Sequence, residues 1–222
     1  MTTEDIFSNI RAWIATSDDA MSPMQLAILD AAAQAFTTQG YATASVDLIA
    51  SQIGATKGSV YYHYRSKGDL FFAVHKRAMV MNLKTQFPTF NDPGLSPTEK
   101  LLLMTREHAL LMMNQIFYQR VTVQGVDLHQ SASTTPAERV ALAEIVAMRD
   151  AYENLFVQVL RDGVAAKEFV DADCSLAAKA ILGALNWVTV WYRPRADEPC
   201  NYKEQTAAQL SRQTVQGVLL AQ

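Results

Sequence analysis

Between Thr56 and His63 the chain strings together groups that suit one kind of partner. Thr56 and Ser59 carry hydroxyls, Lys57 a cation and Gly58 no side chain at all. With the unpaired N–H groups of a helix start, these fit phosphate oxygens and the edges of base pairs. Tyr61, Tyr62 and His63 continue the surface with long rings tipped by polar atoms. No comparable set exists for catalysis. The four histidines show no metal-ligand spacing, and GxSxG, HExxH and phosphate-cradling glycine loops are absent. Glu107 beside His108, and Asp127 two before His129, are juxtapositions that chance supplies. Cys174 and Cys200 are too few for a thiolate site or a disulfide framework and read as reduced thiols. The expectation is a protein that is not an enzyme and uses no cofactor or metal.

Presenting such a surface to a duplex requires a frame. Ser45 reads as the cap of a short helix through Val46, Ile49, Ala50 and Ile53, which Gly54 ends; Thr56 caps the next, which holds Val60 and Tyr64. Two short helices around a tight glycine-containing turn form a helix-turn-helix, the first bracing across the backbone and the second entering the major groove. Ser22 with Pro23 starts a preceding helix that carries Leu26, Ile28, Leu29, Ala32, Ala33 and Phe36 to Gly40. Ser66 starts a fourth through Leu70, Phe71, Val74 and Ala78 toward Phe87. Ile6, Ile10, Trp13 and Ile14 mark an amphipathic turn or two ahead of these.

The stretch from Ser45 to Leu70 resembles the DNA-binding signature of the TetR/AcrR family. Gly40-Tyr41 precedes a capped short helix and a turn, followed by KGSVYYHY and SKGDL; Tyr64 replaces the usual phenylalanine and keeps an aromatic core plug. The likeness covers about residues 24 to 75. It implies that Ser45 and Thr56 contact phosphates as helix caps and that Lys57, Gly58, Ser59 and Tyr61 face the groove. By the same likeness Tyr62 and His63 reach the backbone and Lys67 meets phosphate. Packing is the competing role for Tyr61 and Tyr62, and a solvated imidazole for His63.

The rest of the chain reads as long helices, about 97–114, 115–130, 136–166, 173–192 and 203–220, with Pro88–Pro97 as the main inter-helix loop. No stretch alternates as a strand does, so the expected fold is all-α. Its organisation is an N-terminal extension (1–21), a three-helix helix-turn-helix DNA-binding domain (22–70) and a larger helical ligand-binding and dimerisation domain (71–222). At 222 residues the chain exceeds one typical domain of about 100–150 residues. Residues 22–77 carry five basic side chains (Lys57, Arg65, Lys67, Lys76, Arg77) against three acidic ones (Asp30, Asp47, Asp69), although the whole chain is net −3. A basic head on an acidic body is the sign expected if only the head meets phosphate. No apolar run reaches the roughly 18 residues of a membrane span, so the expected address is cytoplasmic, with no membrane partner.

A single small helix-turn-helix makes few contacts, so a homodimer on a double-stranded operator is expected. Its interface is assigned to the last two helices, through Ala177, Ala180, Ile181, Ala184, Leu185, Val188 and Trp191, then Ala207, Leu210, Thr214, Gly217 and Val218; closing the monomer's own core is the alternative. Between head and interface the chain is rich in methionine, which adapts to irregular cavities. Met104, His108, Met112, Phe117, Arg120 and Phe156 are candidates to hold a small-molecule effector, while ordinary packing is the competing role for each. Asn186 to Pro194, NWVTVWYRP, resembles the matching segment of acyl-CoA-responsive members of the family. That likeness adds Trp187, Trp191 and Arg193 and implies an acyl-CoA or hydrophobic-acid effector, for a repressor that the effector releases.

Overall fold

Capping residues decide where the helices begin. In the computed structural model, which describes residues 3–15, 21–130 and 135–220, Ser22 Oγ accepts from Gln25 N at 3.3 Å and Gln25 returns a bond to Ser22 N at 2.9 Å. Ser96 and Glu99 form the same reciprocal box. Helices run α1 (Thr3–Ala15), α2 (Pro23–Gln39), α3 (Val46–Gln52), α4 (Lys57–His63), α5 (Lys67–Asn91), α6 (Pro97–Asn114), α7 (Ile116–Gln130), α8 (Pro136–Ala165), α9 (Cys174–Asn186), α10 (Val188–Trp191) and α11 (Tyr202–Gln216). Among the described residues the one β pairing is an isolated antiparallel bridge, Phe169 with Leu219. The fold is all-α, as expected.

Three boundaries depart from the sequence reading. Helix α5 continues through Pro88 to Asn91, where a loop was expected. Asn91 Nδ2 bonds the Phe87 carbonyl at 2.7 Å and Lys100 Nζ the Phe90 carbonyl at 2.9 Å, so the last turn is held from outside the helix ladder. The expected 173–192 helix breaks at Trp187, with Thr189 Oγ1 bonding the Asn186 carbonyl at 2.8 Å. The last helix stops at Gln216, because Val218 and Leu220 pair with Val170 and Glu168 instead (2.9 and 3.1 Å).

The chain forms two compact units. The first holds residues 1–81 and 117–148. Its core gathers Ile28, Leu29, Phe36, Val46, Ile49, Val60, Leu70, Phe71 and Val74 with Tyr118, Val121 and Ile145. The rings of Phe36, Tyr41 and Phe71 meet edge-on or tilted at 5.0–5.6 Å. Polar ties reinforce it: Thr37 Oγ1 to the Phe117 carbonyl (3.0 Å), Lys76 to Glu144 (2.8 Å), and Asp30 accepting from both Arg77 and Tyr118 (2.7 Å each).

The second unit holds residues 82–116 and 149–222. Helix α6 packs against α9, α10 and α11 and buries Leu101, Met104, Ala109, Met112 and Met113, with Leu155, Phe156, Ile181, Leu185 and Val215 from the neighbouring helices. Gly163 lies directly under the Phe169 ring, which leaves no room for a Cβ. Cys174–Trp191 is long and apolar enough, by length and composition, to cross a membrane. Its Ile181, Leu182, Leu185 and Val188 are, however, buried within the protein.

Candidate nucleic-acid interface and small-molecule site

The turn between α3 and α4 positions the surface read from the sequence. Ser45 Oγ caps α3 by accepting from Leu48 N at 3.2 Å, and Thr56 Oγ1 caps α4 by accepting from Ser59 N at 3.2 Å. Gly54 adopts φ +65°, the left-handed conformation that lets three residues turn the chain. Ala55 N then bonds the Ala50 carbonyl at 2.9 Å. Val60 is buried and Tyr64 is packed against the core, which fixes the inner face of α4.

The outer face follows from that anchoring. Tyr62 is 86% exposed and Tyr61 42%, so neither ring is a core residue. Tyr62 and His63 stand edge to face, their centroids 5.1 Å apart. Lys57 Nζ pairs with Asp47 at 2.7 Å; both groups are solvent-exposed, so the pair holds the ammonium at the rim of the surface without burying it. A Cβ added at Gly58 would meet only Thr56 Oγ1 at 3.7 Å, so nothing within the fold requires glycine there. Lys67 departs from expectation. Its ammonium donates to the carbonyls of Tyr41 (2.8 Å), Ala42 and Ala44 (3.1 Å each) and lies 4.7 Å from the Tyr41 ring centroid. Three carbonyls occupy the three protons of a lysine, so Lys67 clamps the segment leading into α3 where a phosphate contact was expected.

The residues named for a small molecule are divided between the two units. Phe117 packs against the core of the first unit, which also contains Arg120. In the second unit Met104, His108, Met112 and Phe156 are buried, with the His108 and Phe156 rings 6.3 Å apart. Trp187 and Trp191 are 62% and 41% exposed, and Arg193 donates to the Val190 and Tyr192 carbonyls. The side chains matched to acyl-CoA-responsive proteins therefore lie on the surface of this unit. Of the expected interface residues, Ile181, Leu185, Val188 and Ala207 are buried within the subunit, whereas Ala180, Ala184 and Trp191 face out beside Leu176 and Trp187.

A buried polar cluster escaped the sequence reading except for His108. His108 Nδ1 lies 2.6 Å from Tyr152 Oη, and Nε2 lies 3.1 Å from Asn186 Oδ1. The amide oxygen can only accept, so Nε2 carries the proton and the tyrosine hydroxyl donates to Nδ1. Burial pushes the imidazole pKa down to about 4, with the Asn186 bond opposing, and it pushes the Tyr152 hydroxyl well up. Gln86, fully buried on α5, donates to the Met104 carbonyl at 3.1 Å, while its Oε1 has no hydrogen-bond partner. Tyr152 and Phe156, four apart beside Met148, read as an ordinary core stripe; the polar partners arrive from other helices, and only the fold reveals them.

These features define a helical protein with an exposed helix-turn-helix face and a separate buried polar cluster. Residues 28–74 match the model of the bacterial regulatory proteins of the tetR family, and residues 94–198 match a tetracyclin repressor-like C-terminal domain. The fatty acid metabolism regulator protein of Bacillus subtilis (strain 168) is 26% identical over 171 residues, 76% of this chain and 84% of that protein. A tetR-family regulatory protein from Rhodococcus RHA1 superimposes with TM-score 0.77 at 21% identity, covering 91% of this chain and all of that one. AibR, solved in complex with isovaleryl coenzyme A and operator DNA, superimposes with TM-score 0.70 at 22% identity over 86% of this chain and 97% of its own. The chain belongs to the TetR family and is a TetR-type transcriptional regulator.

Proposed function

We propose that this regulator is a repressor that holds a palindromic operator as a homodimer and leaves it when a small hydrophobic or acyl-CoA-type effector binds. In this reading residues 22–70 are the DNA-binding domain, 71–222 the effector-binding and dimerisation domain, and 1–21 an N-terminal extension. Such a protein works in the cytoplasm, where its operator is, and has no enzymatic activity. The observation that carries the reading is the outer face of α4, with two exposed tyrosines, a lysine at its rim and a glycine that its own fold does not need. Thr56, Lys57, Gly58, Ser59 and Tyr61 then approach the groove, Ser45, Tyr62 and His63 meet the backbone, and Lys67 keeps the preceding turn in place.

Dimerisation is supported by the outward stripe Leu176, Ala180, Ala184, Trp187 and Trp191, since contiguous exposed apolar surface marks interaction sites. The effector class is supported by the B. subtilis relative, named for fatty acid metabolism, and by the isovaleryl coenzyme A complex of AibR. Release needs a two-state response in which the effector favours the conformation with the wrong head spacing. A 100-fold loss of operator affinity requires only about 2.7 kcal/mol of differential binding. The test is to select DNA sequences that bind the purified protein, then to titrate the complex with CoA thioesters and free acids. Failure to enrich any sequence at low salt ends the DNA-binding reading, and failure of every CoA thioester to release the operator ends that effector class.

A further inference from the structure

Four polar side chains from four helices of the second unit converge away from solvent: Gln86 on α5, His108 on α6, Tyr152 on α8 and Asn186 at the end of α9. Three of them satisfy one another through the tyrosine–imidazole–amide chain. Gln86 does not. The Met104 carbonyl fixes which way its amide faces, because flipping it would set oxygen against oxygen. Oε1 is thereby left buried as an acceptor with no donor among the described residues. Buried acceptors are ordinarily paired, and an orphan of this kind calls for an explanation such as a bound group. Aromatic surface lies alongside, with the Tyr152 and Phe156 centroids 5.5 Å apart.

The charge of this environment restricts what binds. The imidazole is held neutral by its burial, and no cation is among the four convergent groups. Arg106, on the same helix as His108, is paired with Glu204. The charged group that acts on Tyr152 is a carboxyl: Glu107, half-buried, accepts from Thr89 Oγ1 at 3.2–3.3 Å. A carboxylate brought here would lose its hydration, meet no cation among the four convergent groups and face a like charge. An uncharged N–H or O–H would instead supply the one bond that Gln86 lacks.

We infer that Gln86, supported by His108, Tyr152 and Asn186, receives the polar head of the effector, and that this head is an uncharged hydrogen-bond donor on an apolar chain, not the carboxylate of a free fatty acid. The inference rests on the reading of the second unit as effector-binding. An alcohol and an amide share the required chemistry, and the amides of a CoA thioester's pantetheine arm provide it as well.

The experiment uses the full-length protein and direct calorimetric titration at pH 8. Probes are alcohols, primary amides and carboxylates matched at four, six, eight and ten carbons, together with the corresponding CoA thioesters. Neutral donors are expected to bind at least tenfold more tightly than the carboxylate of equal length, and Gln86→Leu is expected to abolish that preference while circular dichroism stays unchanged. Carboxylates binding as tightly as their neutral counterparts, or no binding by any alcohol, amide or thioester, overturns the inference from the parent protein alone. A parallel gel-shift separates the two ideas. Neutral ligands that bind without releasing operator refute the release mechanism and leave the head-group assignment standing; release by carboxylates alone does the reverse.

Discussion

Gly58 sits in the first turn of α4 with only Thr56 Oγ1 near the space that a methyl group would occupy. Gly58→Ala should therefore leave the thermal midpoint unchanged or raise it slightly, since alanine is favoured over glycine in helices by up to about 1 kcal/mol. Its operator affinity should fall at least tenfold if a phosphate or base edge approaches that backbone. Calorimetry and gel-shift on the same preparation check both, and undiminished binding would remove Gly58 from the contact surface. Lys57→Ala is expected to weaken binding to specific and random DNA alike and to lower the salt dependence by about one counterion. His108 makes a prediction at the same scale. An unfolded histidine protonates near 6.5 and the buried one near 4, so the unfolded chain binds the extra proton between those values. Stability from this residue is complete above about pH 6.5 and declines as pH falls toward 4, by roughly 3 kcal/mol in all. Glu107, whose carboxyl is pushed up by burial, works in the opposite direction, and the Tyr152 hydroxyl stays neutral throughout. Urea titrations of the parent and His108→Gln between pH 7 and 4.5 isolate the histidine, whose removal should flatten the decline.

Among the elements, the helix-turn-helix was legible because its instructions are local. Ser45 and Thr56 cap the helices they precede, Gly54 takes the positive φ, and Val60 and Tyr64 point inward within about ten residues of that glycine. The clamp made by Lys67 is not legible for the opposite reason, since the carbonyls of Tyr41, Ala42 and Ala44 lie more than twenty residues back. Removing those three bonds with Lys67→Met should destabilise the protein by about 1–3 kcal/mol, because two of the acceptors, the carbonyls of Tyr41 and Ala44, are at least partly buried and lose a charged donor. The accompanying loss of DNA affinity should be recovered in part by stabilising conditions, which a lost phosphate contact would not show. The far end of α5 was hidden by Pro88, whose usual effect is to stop a helix. Here the final turn is held by Lys100 and by the Asn91 side chain. Pro88→Ala should accordingly add about 1–3 kcal/mol by restoring a missing N–H, and a lower thermal midpoint would show that the proline matters for another reason. The buried cluster around His108 was the least legible part, since its members come from four helices separated by as much as 100 positions.

For the whole molecule, the proposed dimer turns on the exposed surface of α9 and α10. Leu176, Ala180, Ala184, Trp187 and Trp191 fall at helical spacings on the side turned away from Ile181 and Leu185. Small residues at Ala180, Gly183 and Ala184 permit close helix approach, while the flanking tryptophans supply contact area. A two-fold pair formed this way brings each residue against its own copy or a near neighbour, so one substitution changes the interface twice. Ala184→Arg would place two guanidinium groups in a closely packed seam, and arginine on an exposed helix leaves the subunit's own fold intact. Sedimentation should then report a monomer at concentrations where the parent is dimeric, with unchanged helicity. Each head would have to bind its half-site unaided, so operator affinity should drop by orders of magnitude, whereas binding to random DNA, carried by phosphate contacts, should drop far less. A variant that remained dimeric would move the interface off this face, and one that became monomeric yet still bound the full operator tightly would mean that DNA recognition here does not depend on paired heads.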